Sequence, residues 1–264
     1  MFLAGRAVDN GGEKLHFCWG AGTDNGLCSA PREGAQDESF VLAVLDWLRD
    51  KNFMVKSGSA WETSTRTAGD LPTYMYGHSG GGRMTWRAAC NSSVAPRFAG
   101  MFITSALLAA ELRAAVSATC NVSTMPPLVI THGTKDTTTD IAFEDESVAW
   151  AAAAAKCADH STSVGVGKDA DLVLHADCPA ARGGFKIVYY RLQGKPHWVP
   201  DKFWYGVALD YWRHGLGPGM EGYEALREAG VTAASGRLAP RPVLLSLLLS
   251  LCLSSLSWRP RVVT

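Results

Sequence analysis

Gly77-His78-Ser79-Gly80-Gly81 fits G-x-S-x-G, a spacing that lets a serine sit on a sharp strand-to-helix turn with its hydroxyl exposed. Glycines two residues to either side allow the following helix and the neighbouring strand to approach without Cβ overlap. A serine hydroxyl attacks a carbonyl only when a base takes its proton, and that base needs a third group to fix its tautomer and stabilise the imidazolium. The chemistry to expect is acyl transfer. Its partners should follow later in the chain, a carboxylate and then a histidine, each just after a strand. Taken alone, the motif also reads as a glycine-rich turn with an incidental serine.

Asp136 is the expected acid, because Leu128-Val129-Ile130-Thr131 reads as a buried strand and His132-Gly133-Thr134-Lys135 as the turn that delivers it. A turn-forming aspartate before Thr137-Thr138-Thr139 is the competing reading, and Asp140 is the reserve acid. His197 is the expected base, carried by Gln193-Gly194-Lys195-Pro196-His197-Trp198-Val199-Pro200 after the strand-like run 185–192. A loop histidine is by itself commonly a solvated surface residue. The order Ser, Asp, His, each after a strand, is what singles this one out. His132 is the chief rival, but it shares the turn of Asp136 and reads as structural. His78 is expected to point away from the nucleophile. The Gly80 N–H is the expected oxyanion donor. Trp198 beside the base is the expected substrate-binding residue. Trp86 is weighed for the same apolar cleft against ordinary core packing.

The elements that must hold these residues alternate. Residues 5–36 read as loop, and 38–48 as an amphipathic helix with Phe40, Val41, Val44, Leu45 and Leu48 at helical spacing. Residues 57–70, rich in Ser, Thr and Gly, read as a polar connection. Strands are then expected at 73–76, 100–104, 128–131 and 185–192, and helices at 83–90, 107–116, 143–156 and 202–213. The last helix carries Phe203, Trp204, Val207, Tyr211 and Trp212 on its inner side. Such alternation implies an α/β fold, a mainly parallel sheet with helices on both faces and a site at the carboxyl ends of the strands.

Twenty-five basic and twenty-five acidic side chains cancel, so no electrostatic footprint for nucleic acid exists and a neutral or mildly polar small molecule or polymer is the expected partner. The seven cysteines lack metal-ligand spacing. Three disulfides and one odd thiol account for them, with connectivity left open by spacing. With the acceptor triplets Asn91-Ser92-Ser93 and Asn121-Val122-Ser123, they point to an extracytoplasmic setting. No apolar export signal follows Met1, and the true amino terminus is expected upstream. Residues 1–218 read as one catalytic domain and 219–264 as a linker and Leu/Ser-rich tail, disordered or weakly helical. Residues 243–253, a run opening on Val243 and closing on Leu253, are too short for a span of roughly 20 apolar residues. Arg259-Pro260-Arg261 spoils a lipid-anchor pattern. Composition leaves the oligomeric state open.

Over roughly residues 15–214 the chain resembles the secreted polyhydroxyalkanoate depolymerase and feruloyl esterase group of α/β-hydrolases. Three motifs carry the resemblance in order. Gly77 to Met84 match G-x-S-x-G-G-x-M, His132 to Asp136 match His-Gly-Thr-x-Asp, and Gly194 to Pro200 match Gly-x-x-His-Trp-x-Pro. Gln36-Asp37-Glu38-Ser39-Phe40 resembles the family's acidic helix opening, with Glu38 where a second aspartate is usual. The resemblance implies a cofactor-free serine esterase acting on hydroxyalkanoate, feruloyl or related carboxylic esters, monomeric or polymeric. It also implies the pairs Cys90–Cys120, Cys157–Cys178 and Cys18–Cys28.

Two features depart from the family. Acyl transfer needs a second oxyanion donor, commonly from an early His-Gly turn after an apolar strand. Residues 1–70 contain no such turn, and the family's first core strands are expected to be missing. The competing readings are a catalytically inactive hydrolase-like binding protein and a serine peptidase using the same triad.

Overall fold

A computed structural model of the chain describes residues 35–57, 60–108, 113, 120–157, 162–166, 169–179, 185–197, 206–208, 211, 222–229 and 247–250. The first helix, α1 (Ala35–Arg49), opens with Asp37 and Glu38 in its first turn, where acidic side chains complement the helix dipole. It buries Val41, Leu45 and Leu48, whereas Phe40 remains exposed with Trp47 on the outer side. An ion pair between Arg87 and Glu38 ties it to the helix that follows Ser79.

The polar connection expected at 57–70 is corrected by the structure. Strands β1 (Asn52–Ser57) and β2 (Ala60–Thr67) pair antiparallel in a sheet of two strands. The Thr-rich composition that reads as loop is also β-branched, and such side chains suit a pleated surface. A 3₁₀ turn, Ala68–Asp70, ends the hairpin, with Asp70 accepting from Thr67 N–H at 2.8 Å.

The main sheet has seven strands in the order β6-β7-β8-β5-β4-β3-β9. Its central members are β3 (Thr73–His78), β4 (Gly100–Thr104), β5 (Leu128–Gly133) and β8 (Phe185–Leu192), all parallel. Strands β7 (Ala170–Cys178) and β6 (Thr162–Val166) extend it antiparallel beyond β8. This is the α/β arrangement expected from the alternating pattern. Residues 247–250, inside the expected tail, form β9 (Leu247–Ser250), parallel to β3 in the register Thr73↔Leu247. The backbone of β3 would otherwise present an unpaired edge. Among the described residues, no strand before β3 joins this sheet.

Side chains alternate across the central strands. Met75, Met101, Ile103, Leu128, Ile130, Ile187 and Tyr189 pack on one face against α1, α2 (Gly80–Cys90) and α3 (Ile141–Ala154). Tyr74, Tyr76, Phe102, Val129, Val188 and Tyr190 pack on the other against Val207, Ala208, Tyr211 and Leu226 of α4 (Tyr223–Glu228). Helical side chains therefore cover both faces. Residues 206–208 and 211 are helical within the expected 202–213, whereas Phe203, Trp204 and Trp212 lie outside the described residues. Of the helix expected at 107–116, Arg113 is described from 109 onward, and it is helical.

Two of the implied disulfides are present. Cys90, ending α2, joins Cys120 just before β5, and Cys157, after α3, joins Cys178, ending β7. Cys18 and Cys28 lie outside the described residues. Among the described residues, no helix is long and apolar enough to cross a membrane.

Candidate active site

Ser79, Ser105, the Asp136 turn and the His197 loop all follow the carboxyl ends of adjacent parallel strands, respectively β3, β4, β5 and β8. Ser79 takes φ 53° and ψ −120°, a sparsely populated backbone conformation that costs about 1–3 kcal/mol and is tolerated where surroundings over-determine it. Those surroundings are visible. Ser79 N–H donates to the Thr104 carbonyl at 2.9 Å, and its own carbonyl accepts from Arg83 N–H at 3.1 Å. A Cβ at Gly77 would overlap the Gly81 carbonyl and the Thr85 hydroxyl, so the strand and α2 can fold back on each other only with glycine there. Gly80 is exposed and opens α2. First-turn N–H groups of a helix lack intrahelical partners, so Gly80 N–H is free of helical pairing at the place where an oxyanion would form.

Asp136 is buried, and its Oδ1 accepts from the N–H groups of Thr138 and Thr139, both at 2.8 Å. These two bonds immobilise the carboxylate and leave Oδ2 to His197, whose Nδ1 lies 2.7 Å away. The turn-forming role of Asp136 is carried by one oxygen, and the other lies against His197. The Asp136 turn and the His197 loop are laced together. Thr134 N–H donates to the Leu192 carbonyl and Lys135 N–H to the Lys195 carbonyl, both at 2.9 Å, and Gly194 N–H donates to Thr134 Oγ1 at 2.8 Å. A Cβ on Gly133 would overlap the carbonyl oxygens of Lys195 and Pro196.

His78 departs from expectation. Its ring packs against that of His197, centroids 4.9 Å apart, and its Nδ1 is 3.1 Å from Thr104 Oγ1. A strand alternates sides only while it stays extended, and the turn at Ser79 ends that extension, so a residue expected to face away is brought to His197. Burial, reinforced by His197, lowers its pKa to about 4, so it is neutral at pH 7 and presents an uncharged ring to His197.

The other candidates take structural places. Asp140 caps α3, accepting from Ala142 N–H at 2.9 Å, which makes it a helix cap and not a second acid. Trp86 is fully buried and donates through Nε1 to Glu144 Oε1 at 3.1 Å, so it belongs to the core and lines no cleft. His132 is fully buried, in agreement with its structural reading. Trp198 lies outside the described residues. Glu144 was not singled out from the sequence. Its place in an Ala-rich helix reads as a solvated charge until the fold turns it inward. Among the described residues, no cluster of His, Cys, Asp or Glu could hold a metal ion.

Compared with known proteins, the chain matches no protein-family model and no curated protein.

Proposed function

We propose that this protein is a serine hydrolase of carboxylic esters, with Ser79 as nucleophile, His197 as base and Asp136 as the orienting acid. The observation that carries the reading is the 2.7 Å contact of His197 Nδ1 with Asp136 Oδ2, placed beside the strained serine turn by the packing of His197 on His78. Asp136 fixes the tautomer that leaves Nε2 available as a base. Ser79 Oγ attacks the ester carbonyl as His197 accepts its proton, and the Gly80 N–H with the amino terminus of α2 stabilises the oxyanion. Collapse of the tetrahedral intermediate expels the alcohol, which takes the proton from His197 and leaves an acyl-serine. Water, deprotonated by the same histidine, then releases the acid.

The three ordered motifs favour hydroxyalkanoate or feruloyl esters as the substrate class. The two disulfides are compatible with an extracytoplasmic location. Hydrolysis of a short-chain nitrophenyl ester and of a feruloyl ester by the purified chain, with Ser79→Ala alongside, tests the reading. Turnover that vanishes in the variant supports it, and undiminished hydrolysis by Ser79→Ala removes it. One observation favours the inactive-homologue reading. Among the described residues, no parallel strand-to-helix loop precedes β3 to supply a second oxyanion donor, and loss of one donor typically costs about 10²–10³ in turnover. Folded protein with no turnover on either ester would favour that reading.

A further inference from the structure

The polar contacts of the acid turn continue inward past Asp136. His132, on β5, has both ring nitrogens engaged. Nδ1 lies 3.1 Å from Glu144 Oε2, and Nε2 lies 2.8 Å from the Thr139 carbonyl oxygen and 3.2 Å from Asp136 Oδ2. The side chains of His132, Asp136 and Glu144 are all fully buried. Glu144 in turn accepts from Trp86 Nε1–H at 3.1 Å and from Ala106 N–H at 3.2 Å. Contacts thus run from the α2 core through Glu144 and His132 to the oxygen of Asp136 that holds His197.

The proton count of this chain follows from its acceptors. Nε2 of His132 faces a carbonyl and a carboxylate, neither of which can donate, so it must carry a proton. Nδ1 faces a carboxyl group, and a 3.1 Å contact there requires one proton between the two atoms, on either one. The pair is then neutral as a whole, whether written imidazolium and carboxylate or imidazole and carboxylic acid. Either form presents the positive end of an N–H dipole to Asp136.

We propose that His132 and Glu144 are positioning residues, a buried dyad sharing one proton that holds an N–H against Asp136 and thereby sets both the orientation and the basicity of the His197–Asp136 pair. The assignment rests on the esterase reading for its catalytic consequence, but not for its structure. Burial alone would lower the pKa of His132, yet the hydrogen bond and charge of Glu144 and the nearness of Asp136 outweigh it and raise it. Burial also raises Glu144, its hydrogen bonds opposing. Both directions favour retention of the shared proton. The other titratable groups facing the dyad are His78 and His197 on the side of Asp136, and Tyr189 with its partner Asp145 on the side of Glu144.

Nitrogen-15 histidine NMR of the full chain tests the dyad without reference to turnover. The expected spectrum has His132 protonated at Nε2 and unchanged between about pH 5 and 8, a range in which a free imidazole titrates. An unprotonated Nε2, or a ring that titrates like a free one, would overturn the proposal even if no variant folds. In His132→Phe, Asp136 Oδ2 loses one of its two ring N–H neighbours, so the downfield Nδ1–H proton resonance of His197 should move from its wild-type position. Glu144→Gln, which keeps a polar partner for Nδ1, should move it less. If the wild type hydrolyses esters, the acid limb of the kcat/KM profile of His132→Phe should shift to higher pH, and kcat should fall about tenfold with KM little changed. A folded His132→Phe with an unmoved His197 Nδ1–H resonance would leave His132 a packing residue only. A correct spectrum from a protein without esterase activity would sustain the dyad and remove the esterase reading.

Discussion

At the scale of single residues, the site depends on which oxygen of Asp136 does what. Oδ1 is occupied by Thr138 and Thr139, and Oδ2 serves His197. Asp136→Asn can keep the shape of the turn, but an amide nitrogen in the Oδ2 position would donate to Nδ1 and impose the wrong tautomer. Steady-state kinetics should show kcat about 10⁴-fold lower, with the fold retained by circular dichroism. His78 gives a second prediction. Its pKa in the folded state, about 4, lies below the unfolded value of 6.5 because burial disfavours its charge. The unfolded chain therefore binds the extra proton first. This contribution to stability is fully present above pH 6.5 and is lost as pH falls toward 4, on the order of 2 kcal/mol between pH 7 and 4.5. Urea midpoints at those two pH values should converge in His78→Gln relative to wild type. The placement of Ser79, Asp136 and His197 after the ends of neighbouring strands was legible in the sequence because the turns that carry them follow short β-rich runs. The inward turn of His78 and the burial of Glu144 were not, since both depend on where a turn or a helix face ends up in space.

At the scale of elements, the acid turn and the base loop form one unit, joined by backbone hydrogen bonds and by the close approach at Gly133. Gly133→Ala would press a methyl group into the Lys195 and Pro196 carbonyls, which are backbone atoms that cannot rotate away. Displacement of His197 by about 1 Å should lower kcat/KM by about 10²-fold, a larger loss than the change in melting temperature suggests. The strands at 100–104 and 185–192 were readable to the residue because both are rich in β-branched and aromatic side chains, the second despite Lys186 and Arg191. The β1–β2 hairpin was not, because threonines serve loops and strands alike and only pairing decides between them. The start of α3 was read at 143, whereas Asp140 captures Ala142 N–H and begins the helix at Ile141.

For the whole molecule, two disulfides among the described residues cross-link the chain, and β9 pairs with β3 at one end of the open sheet. Each disulfide spans a loop, with sequence separations of 30 and 21, for which unfolded-chain entropy supports a contribution of about 3 kcal/mol. Replacing Cys90 and Cys120 together by alanine should lower the denaturant midpoint accordingly, and reductant should then have a smaller further effect than on the wild type. Strand β9 lies where no earlier strand among the described residues covers β3. Deletion of residues 247–264 should expose that edge, and sedimentation velocity should show self-association that the full chain lacks at the same concentration. The alternation of strands and helices made the α/β class legible, but β9 was hidden in a Leu/Ser run whose composition suits a strand, a helix or a tail.

The proposed activation of Ser79 by His197 and Asp136 can be read directly by exposing the folded chain to a fluorophosphonate and locating the adduct by peptide mass spectrometry. A single phosphonylated residue, Ser79, should form rapidly in the wild type and at least about 10³-fold more slowly in His197→Ala. An adduct elsewhere, labelling of Ser79 at an equal rate without His197, or no labelling of folded protein would contradict it.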